Sequence, residues 1–354
     1  SVIRESMEEG AWGLSTGLDY PPGAFASTEE LIAISTQTAE MGGIYHTHTR
    51  ASLKAQGVYA PWEEAVEIGR RSGVPIHLTH YRQPKQGEGT YQGYLGLVED
   101  ARDEGIDFPF DCYAYPYSGT AVTIQLPFWA KDGGPERTMA ALSDPYERNK
   151  MKREMNSRSD IQETWNERWL HNFREPHNSK YDGKSIWDIA EMREQEPTDA
   201  LFDLLIEERL GISEVGTGTN ADTLPAFVSH PYGMIASDAI LFGEYPNPRT
   251  YGCFPVVLAK FVRVEKHLKL PEAIRKMTSF PAQRIGLTDR GQLADGFRAD
   301  IVVFNPDTVH TDATKEDPKH YPVGIDYVIV NGEVVIERGT NTGATPGKAL
   351  RRGR

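Results

Sequence analysis

The seven residues IYHTHTR, from Ile44 to Arg50, carry the pattern on which the fold prediction depends. Apolar residues followed by alternating histidine and threonine are typical of a short strand that ends in polar side chains. Because alternate side chains of a strand share a face, His46 and His48 are predicted to point the same way. The pattern raises the question of which histidines bind a metal ion.

A second stretch of this kind, IHLTHYR from Ile76 to Arg82, supplies two further histidines. His77 and His80 are three residues apart, so they face opposite sides if the whole stretch is extended. The spacing therefore allows only one of them to join a site shared with the first pair. If His80 joins that site, His77 is predicted to face away from it.

Strand and helix patterns alternate around these two stretches, with a period of roughly 30 residues that is typical of βα units on a parallel sheet. Helix boundaries are marked by a capping pattern at Ser27 and Glu30 and by Gly73 after a later helix. In a (β/α)8 barrel the functional groups lie at the carboxyl ends of the strands. Polar clusters follow the predicted strands at Ser15–Thr16, His48–Arg50, His80–Arg82 and Tyr115–Tyr117.

The alternation breaks between residues 131 and 195, where the chain is polar and rich in tryptophan. We predict an insertion over the barrel mouth, which is either a lid or an ordinary surface excursion. Beyond it, YGMIASDAI is predicted to be a strand that delivers Asp238 to the same rim. After Gly286 the pattern becomes β, with a tight hairpin turn at Asn331–Gly332.

A closed (β/α)8 barrel needs about 250 residues and eight strands, and fewer strands than that can be assigned here. The chain also opens directly into a helical pattern at Ser1, so we expect the true N-terminus to lie outside it. The predicted fold is therefore α/β, with a TIM-like (β/α)8 barrel, incomplete at its N-terminal side, in residues 1–286. A small β-sandwich-like domain is predicted in residues 287–354.

Composition excludes several classes of partner. The formal net charge is -13 and the sequence pI is about 5.3, which argues against binding to nucleic acid or to an anionic membrane surface. No apolar run approaches the ~18 residues of a membrane span. The two cysteines, Cys112 and Cys253, give no disulfide framework and suit a reducing compartment. We expect a cytoplasmic protein with a small-molecule substrate.

Histidines at consecutive strand ends favour a metal site, although a lone buried histidine is more often structural. Zinc binds neutral imidazoles at about 2.0–2.1 Å. An aspartate at the same rim can take a proton from water that the metal acidifies.

A series of longer stretches adds a family resemblance, and the likeness is weakest in the insertion. They are GLSTGLDYPPGAFASTEEL, YHTHTR, VPIHLTHYR, DCYAYPYSGT, MIASDA, RTYGCFPVVLAKFVR and KMTSFPAQRIGLTDRGQLADGFRADIVVFNPDTV. In order along the chain, they resemble the N-acyl-D-amino-acid deacylase (D-aminoacylase) family of the amidohydrolase superfamily. This resemblance implies hydrolysis of N-acyl-D-amino acids to a carboxylate and a free D-amino acid, with one or two divalent metal ions such as zinc.

The resemblance also implies roles for individual residues. The family's metal ligands fall on His48 of THTR and His80 of LTHYR, and its catalytic acid/base falls on Asp238 of SDA. The family uses no ligand at the position of His46, which makes the HxH pattern misleading. The first-strand HxH pair and the bridging cysteine or carboxylate of the family are expected in the missing N-terminal part.

Substrate-binding residues follow from the same resemblance. Arg249 matches the family's carboxylate-binding arginine, and a guanidinium grips a carboxylate with two parallel hydrogen bonds. Arg82 stands where related proteins often carry lysine, and Arg50 completes the THTR motif. Tyr20 and Tyr115 match tyrosines that line the family's pocket, although each is equally compatible with an ordinary core or rim aromatic residue.

Two alternative functions remain open on the sequence. A cyclic amidase of the dihydroorotase or hydantoinase kind shares the barrel and the metal chemistry. A non-catalytic protein can keep the fold without the metal.

Overall fold

The computed structural model describes residues 1–85, 89–158, 161 and 163–353. Its centre is a five-stranded parallel sheet with the strand order β1-β2-β3-β4-β8. The last three strands are buried along their whole length, as expected when helices cover both faces of a parallel sheet. The strands are β1 (Gly13–Gly17), β2 (Ile44–His48), β3 (Ile76–Leu78), β4 (Phe110–Cys112) and β8 (Gly233–Ile235).

The helices between these strands begin and end largely at the expected signals. The Ser27 hydroxyl accepts a hydrogen bond from the Glu30 N–H at 3.1 Å, and Gly73 ends a later helix in the left-handed conformation at φ 72°. The α-helices of this part are Val2–Glu8, Thr28–Glu40, Ala60–Ser72 and Tyr91–Asp103, with short 3₁₀ turns at Gly23–Phe25 and Ala51–Ala55.

An insertion with its own hydrophobic core separates β4 from β8. Its three-stranded antiparallel sheet consists of β5 (Tyr117–Ala121), β6 (Arg168–His171) and β7 (Ser213–Thr217), in the order β5-β7-β6. The core runs from Val122 to Ile212, beyond both predicted limits. The helical segments around it are Val122–Gln125, Phe128–Lys131, Gly134–Ser143, Pro145–Asn156, Trp165–Glu167, Pro176–Tyr181, Ile186–Arg193 and Pro197–Glu207.

The C-terminal part returns to the main core and then forms a separate sheet. Its helices are Leu224–Ser229 before β8, then Arg249–Val256, the π-helical Val257–Val264, Leu270–Met277 and Ser279–Arg284. The antiparallel sheet has the order β12-β11-β10-β9, with β9 (Ile301–Phe304), β10 (Ile325–Val330), β11 (Glu333–Glu337) and β12 (Thr340–Asn341). Asn331 and Gly332 turn the β10–β11 hairpin with φ of 49° and 84°, as their sequence predicted.

The predicted fold class is thereby confirmed, since a parallel sheet with helices is joined to a separate antiparallel sheet at the C-terminal end. The division into domains at residues 286 and 287 stays a prediction. Among the described residues, none of the helices is both long and apolar enough to span a membrane.

Candidate metal and catalytic site

The carboxyl ends of the central strands bring the predicted metal and catalytic residues to one edge of the sheet. β2 ends at His48, while His80 and Asp238 follow shortly after the ends of β3 and β8. These strands are parallel, so their carboxyl ends lie on the same side. The structure thus places two imidazoles and one carboxylate at a common rim.

His48 and His80, which we call the outer imidazole pair, face each other through their ring nitrogens. His48 Nδ1 lies 2.9 Å from His80 Nε2, and the rings meet edge to face at 79°. The other nitrogen of His48, Nε2, lies 2.9 Å from Asp19 Oδ2. A cation that binds imidazole nitrogen at about 2.0–2.1 Å is within reach of both facing nitrogens, so the pair fits a divalent metal.

The protonation state of His80 suits this role. Burial holds the pKa of His80 well below its ordinary value of 6.5, and the neighbouring Arg82 charge lowers it further. A neutral imidazole is the form that binds metal ions. His80 is therefore a ready ligand at neutral pH.

His46 on β2 and His77 on β3, which we call the inner imidazole pair, are register partners and precede His48 and His80 along the chain. Their rings stack with centroids 4.6 Å apart. Asp111 Oδ2 lies 2.8 Å from His77 Nε2 and 3.4 Å from His46 Nε2. The ligand atoms of these three residues lie within 4.8 Å of one another, so this group is a second candidate for a metal ion.

The position of His77 departs from the alternation rule. The sequence predicted that it faces away from the site of His80, but its ring stacks on that of His46 and contacts Asp111, whose Oδ1 accepts the backbone N–H of His80 at 2.7 Å. The physical reason is that β3 ends at Leu78 and His80 has a left-handed φ of 38°. The two-residue alternation of a strand therefore stops before it reaches His80.

Asp238 also sits in a left-handed backbone conformation, at φ 45°, with its side chain 40% exposed. Burial raises the pKa of this carboxyl, against the opposing charges of Arg249 and Arg82. Arg249 grips the residue twice, since one N–H reaches Asp238 Oδ2 at 2.5 Å and Nε donates to the Asp238 carbonyl at 3.0 Å. The carboxylate is thus held in one orientation at the rim.

Two of the predicted substrate-binding arginines are already bonded within the protein. Arg249 is only 1% exposed and also donates to the Tyr117 carbonyl at 3.1 Å. Arg50 donates to the Glu64 carboxylate at 3.2 Å and to the Ala24 carbonyl at 3.0 Å. These contacts tie loops of the rim together, and the substrate roles of both arginines stay predictions.

The other predicted substrate-binding residues surround the outer pair. Arg82 donates to the His80 carbonyl at 2.7 Å and lies over the Tyr113 ring, with its side chain partly exposed. The Tyr20 ring lies 5.2 Å from the His48 ring, and its hydroxyl bonds to that of Thr120 at 2.7 Å.

Tyr115 lies in the core of the protein rather than on the wall of an open pocket. It is buried, and burial raises the pKa of its hydroxyl. A Cβ on Gly252 would lie only 2.3 Å from that hydroxyl oxygen, so the tyrosine depends on a glycine at this contact. The structure gives Tyr115 a core position beside the rim.

Sequence reasoning missed two carboxylates that contact the histidines. Asp19 stands two residues after β1 ends, so its signal was a charged residue at yet another strand end. Asp111 lies inside the fully buried strand β4, and a carboxylate in a buried strand needs partners that the strand itself cannot supply. In the sequence, both residues stand out as charged residues in or shortly after a strand.

Comparisons with known proteins identify the family to which the chain is similar. The profile of the amidohydrolase family matches residues 1–336. D-aminoacylase of Alcaligenes xylosoxydans xylosoxydans is 33% identical over 351 residues, 99% of this chain and 63% of that protein. The chain thus spans less than two thirds of the length of this relative.

Solved structures give the same picture. N-acyl-D-glutamate deacylase from Bordetella bronchiseptica, complexed with zinc and a phosphonate inhibitor, aligns with a TM-score of 0.78 and 29% identity, covering 99% of this chain and 64% of that one. A D-aminoacylase described with a binuclear metal center aligns with a TM-score of 0.77 and 28% identity, with the same coverage. A D-hydantoinase, at 12% identity and a TM-score of 0.53 over 99% of this chain and 70% of that one, shares the fold alone.

Proposed function

Because the chain belongs to the amidohydrolase family, we propose that the protein hydrolyses the amide bond of N-acyl-D-amino acids, releasing a carboxylate and a free D-amino acid. The observation that carries this proposal is the outer imidazole pair, with nitrogens 2.9 Å apart at the strand ends. Asp238 lies within electrostatic reach of His48 at the same rim. The similarity to D-aminoacylase and to N-acyl-D-glutamate deacylase supports the choice of a linear N-acyl substrate.

The proposed metal ligands of this chain are His48 through Nδ1 and His80 through Nε2. One or two divalent cations are proposed, zinc first, since a relative of known structure carries zinc. A bound cation of this kind polarises the amide carbonyl and acidifies water.

Asp238 is the proposed acid and base. Desolvation raises the pKa of its carboxyl against the charges of Arg249 and Arg82, which makes it a stronger proton acceptor than an ordinary aspartate carboxylate. It takes a proton from the attacking water and delivers it to the nitrogen of the leaving amine. Arg249 keeps the carboxylate in place for both transfers by holding Oδ2 and the backbone carbonyl.

The substrate carboxylate is proposed to bind at the guanidinium groups of Arg82 and Arg249, whose charges both act on Asp238. Arg82 is the more accessible of the two. Tyr20, beside the His48 ring, and Tyr115 complete the proposed wall of the substrate site, and Arg50 supports the rim through Glu64.

The test uses the protein at its full natural length, purified with its metal. We expect it to hydrolyse N-acetyl-D-amino acids faster than their L-enantiomers, to lose activity on chelation and to regain it with zinc. Hydrolysis of hydantoins or dihydroorotate without hydrolysis of linear amides would instead identify a cyclic amidase. A protein that binds no metal and is inert towards every substrate would be the non-catalytic alternative.

A further inference from the structure

We propose that Asp19 is a positioning residue that determines which nitrogen of His48 faces the cation. This inference rests on the proposed function, because it assigns Asp19 a part in forming the same metal site. A carboxylate that accepts a hydrogen bond from one nitrogen of an imidazole fixes the ring proton on that nitrogen.

Asp19 is held beside His48 at two points of the backbone. The Leu18 N–H donates to the His48 carbonyl at 3.0 Å, which continues the pairing of β1 with β2 beyond Gly17. The Ala51 N–H donates to Asp19 Oδ1 at 2.7 Å from the other side. Asp19 is only 7% exposed, so its carboxylate has a fixed direction.

The remaining oxygen of Asp19 makes the decisive contact. Oδ2 lies 2.9 Å from His48 Nε2, and an ionised carboxylate can only accept, so Nε2 carries the proton. A neutral imidazole has a single N–H, so Nδ1 is then left with its lone pair. That lone pair faces His80 Nε2 at 2.9 Å, so it accepts the Nε2–H of His80 in the metal-free protein and can bind the proposed cation once the His80 proton moves to Nδ1.

Substitution by asparagine reverses this arrangement with little change in shape. In Asp19→Asn the amide oxygen can still accept the Ala51 N–H, which leaves an NH₂ group facing His48 Nε2. An NH₂ group donates, so Nε2 must become the acceptor and the ring proton moves to Nδ1. The lone pair then points away from His80.

The experiment compares wild type, Asp19→Asn and a matched control, Glu99→Gln. The control changes another carboxylate beside a histidine, because Glu99 Oε1 lies 3.3 Å from His230 Nε2 ahead of the amino end of β8. Zinc affinity is measured by competition with a chromophoric chelator. We expect affinity to fall about 10- to 100-fold in Asp19→Asn and to stay unchanged in Glu99→Gln.

A second readout does not depend on the metal. The ring ¹⁵N chemical shifts of His48 in the metal-free protein report which nitrogen carries the proton, and a His48→Gln variant assigns the signals. We expect Nε2–H in wild type and Nδ1–H in Asp19→Asn. An unchanged zinc affinity in a folded Asp19→Asn protein, or an unchanged ring proton, would overturn the inference.

The two readouts also separate this inference from the proposed function. If wild type hydrolyses N-acyl-D-amino acids with bound zinc while Asp19→Asn matches it in affinity, only the role of Asp19 is lost. If wild type binds no zinc, the proposed function fails. The ring proton then decides by itself whether Asp19 orients His48.

Discussion

The outer and inner imidazole pairs contain the same residue types and both come from β2 and from β3 or the turn after it, yet their carboxylates stand in different places. Asp19 binds the far nitrogen of His48 and leaves the space between the two outer rings open to a cation. Asp111 instead places Oδ2 beside both inner rings, where a cation would otherwise bind. Under the proposed function, the position of the carboxylate, rather than the composition of the cluster, distinguishes the outer metal site from an inner hydrogen-bonded support.

The largest expected difference comes from exchanging one histidine of each pair for glutamine. We expect His48→Gln to lose bound zinc and at least about 1,000-fold in kcat/KM, because it removes a ligand of the cation. His46→Gln should keep its zinc and stay within about tenfold of wild type, because the His46 ring makes only a long hydrogen bond to Asp111, at 3.4 Å, besides its stacking on His77. Zinc content and kcat/KM are measured on both proteins. The opposite pattern would make the inner pair the metal site.

A change at Asp238 separates proton transfer from cation binding within the outer site. Asp238→Asn keeps the shape of the side chain but cannot accept the proton of water. We expect kcat to fall about 10²- to 10⁴-fold with zinc content unchanged. Near-normal turnover in this variant would remove Asp238 from the mechanism, and loss of zinc would make it a ligand instead.

Removing the carboxylate of the inner pair should cost stability. Asp111→Ala leaves the His80 N–H and His77 Nε2–H without their acceptor, at about 1–3 kcal/mol for each buried group. We therefore expect the free energy of unfolding in urea to fall by about 3 kcal/mol. Asp111→Asn, which keeps one acceptor oxygen, should lose less. Equal losses in the two variants would contradict the hydrogen-bonding account.

His171, a buried histidine of the insertion, is expected to make the free energy of unfolding depend on pH. His171 has a backbone neighbour at Phe242, and burial lowers the pKa of His171 from 6.5 to about 4. Between these values the unfolded chain binds the proton and the folded chain does not, so stability falls with falling pH. The expected loss from pH 7 to pH 5 is about 2 kcal/mol.

The measurement is urea unfolding at both pH values, followed by tryptophan fluorescence, to which Trp165 and Trp169 of the insertion contribute. His171→Gln is the control, and its loss of unfolding free energy from pH 7 to pH 5 should be smaller than that of wild type by about 2 kcal/mol. An identical slope in wild type and His171→Gln would rule out His171 as its source.

The parallel sheet was predictable because each of its strands is followed by a helix with clear boundary residues, such as Ser27 and Gly73. The ends of these strands also placed His48, His80 and Asp238 at one rim. The limits of the insertion were less predictable, since its core is built from β5 to β7, whose pairing joins residues far apart in the chain. The local sequence pattern does not indicate which strands pair when they are far apart in the chain.

Side-chain partners within the site were the least predictable part. The left-handed backbone at His80 interrupts the alternation from which the direction of His77 was inferred. Arg249 was assigned by motif to a substrate carboxylate, and only the three-dimensional structure reveals its ion pair with Asp238. Spacing along a strand gives the face of a side chain, but not the loop residue that meets it.

The shared carboxylate of Asp111 has a consequence for how this region tolerates change. The Asp111 carboxylate contacts the rings of both His77 and His46, so positions 46, 77 and 111 are energetically coupled through their side chains. Effects of substitutions there should not add, and a double-mutant cycle between positions 77 and 111 should give a sizeable coupling energy. Directed evolution of this rim would therefore have to sample the three positions as one combinatorial unit.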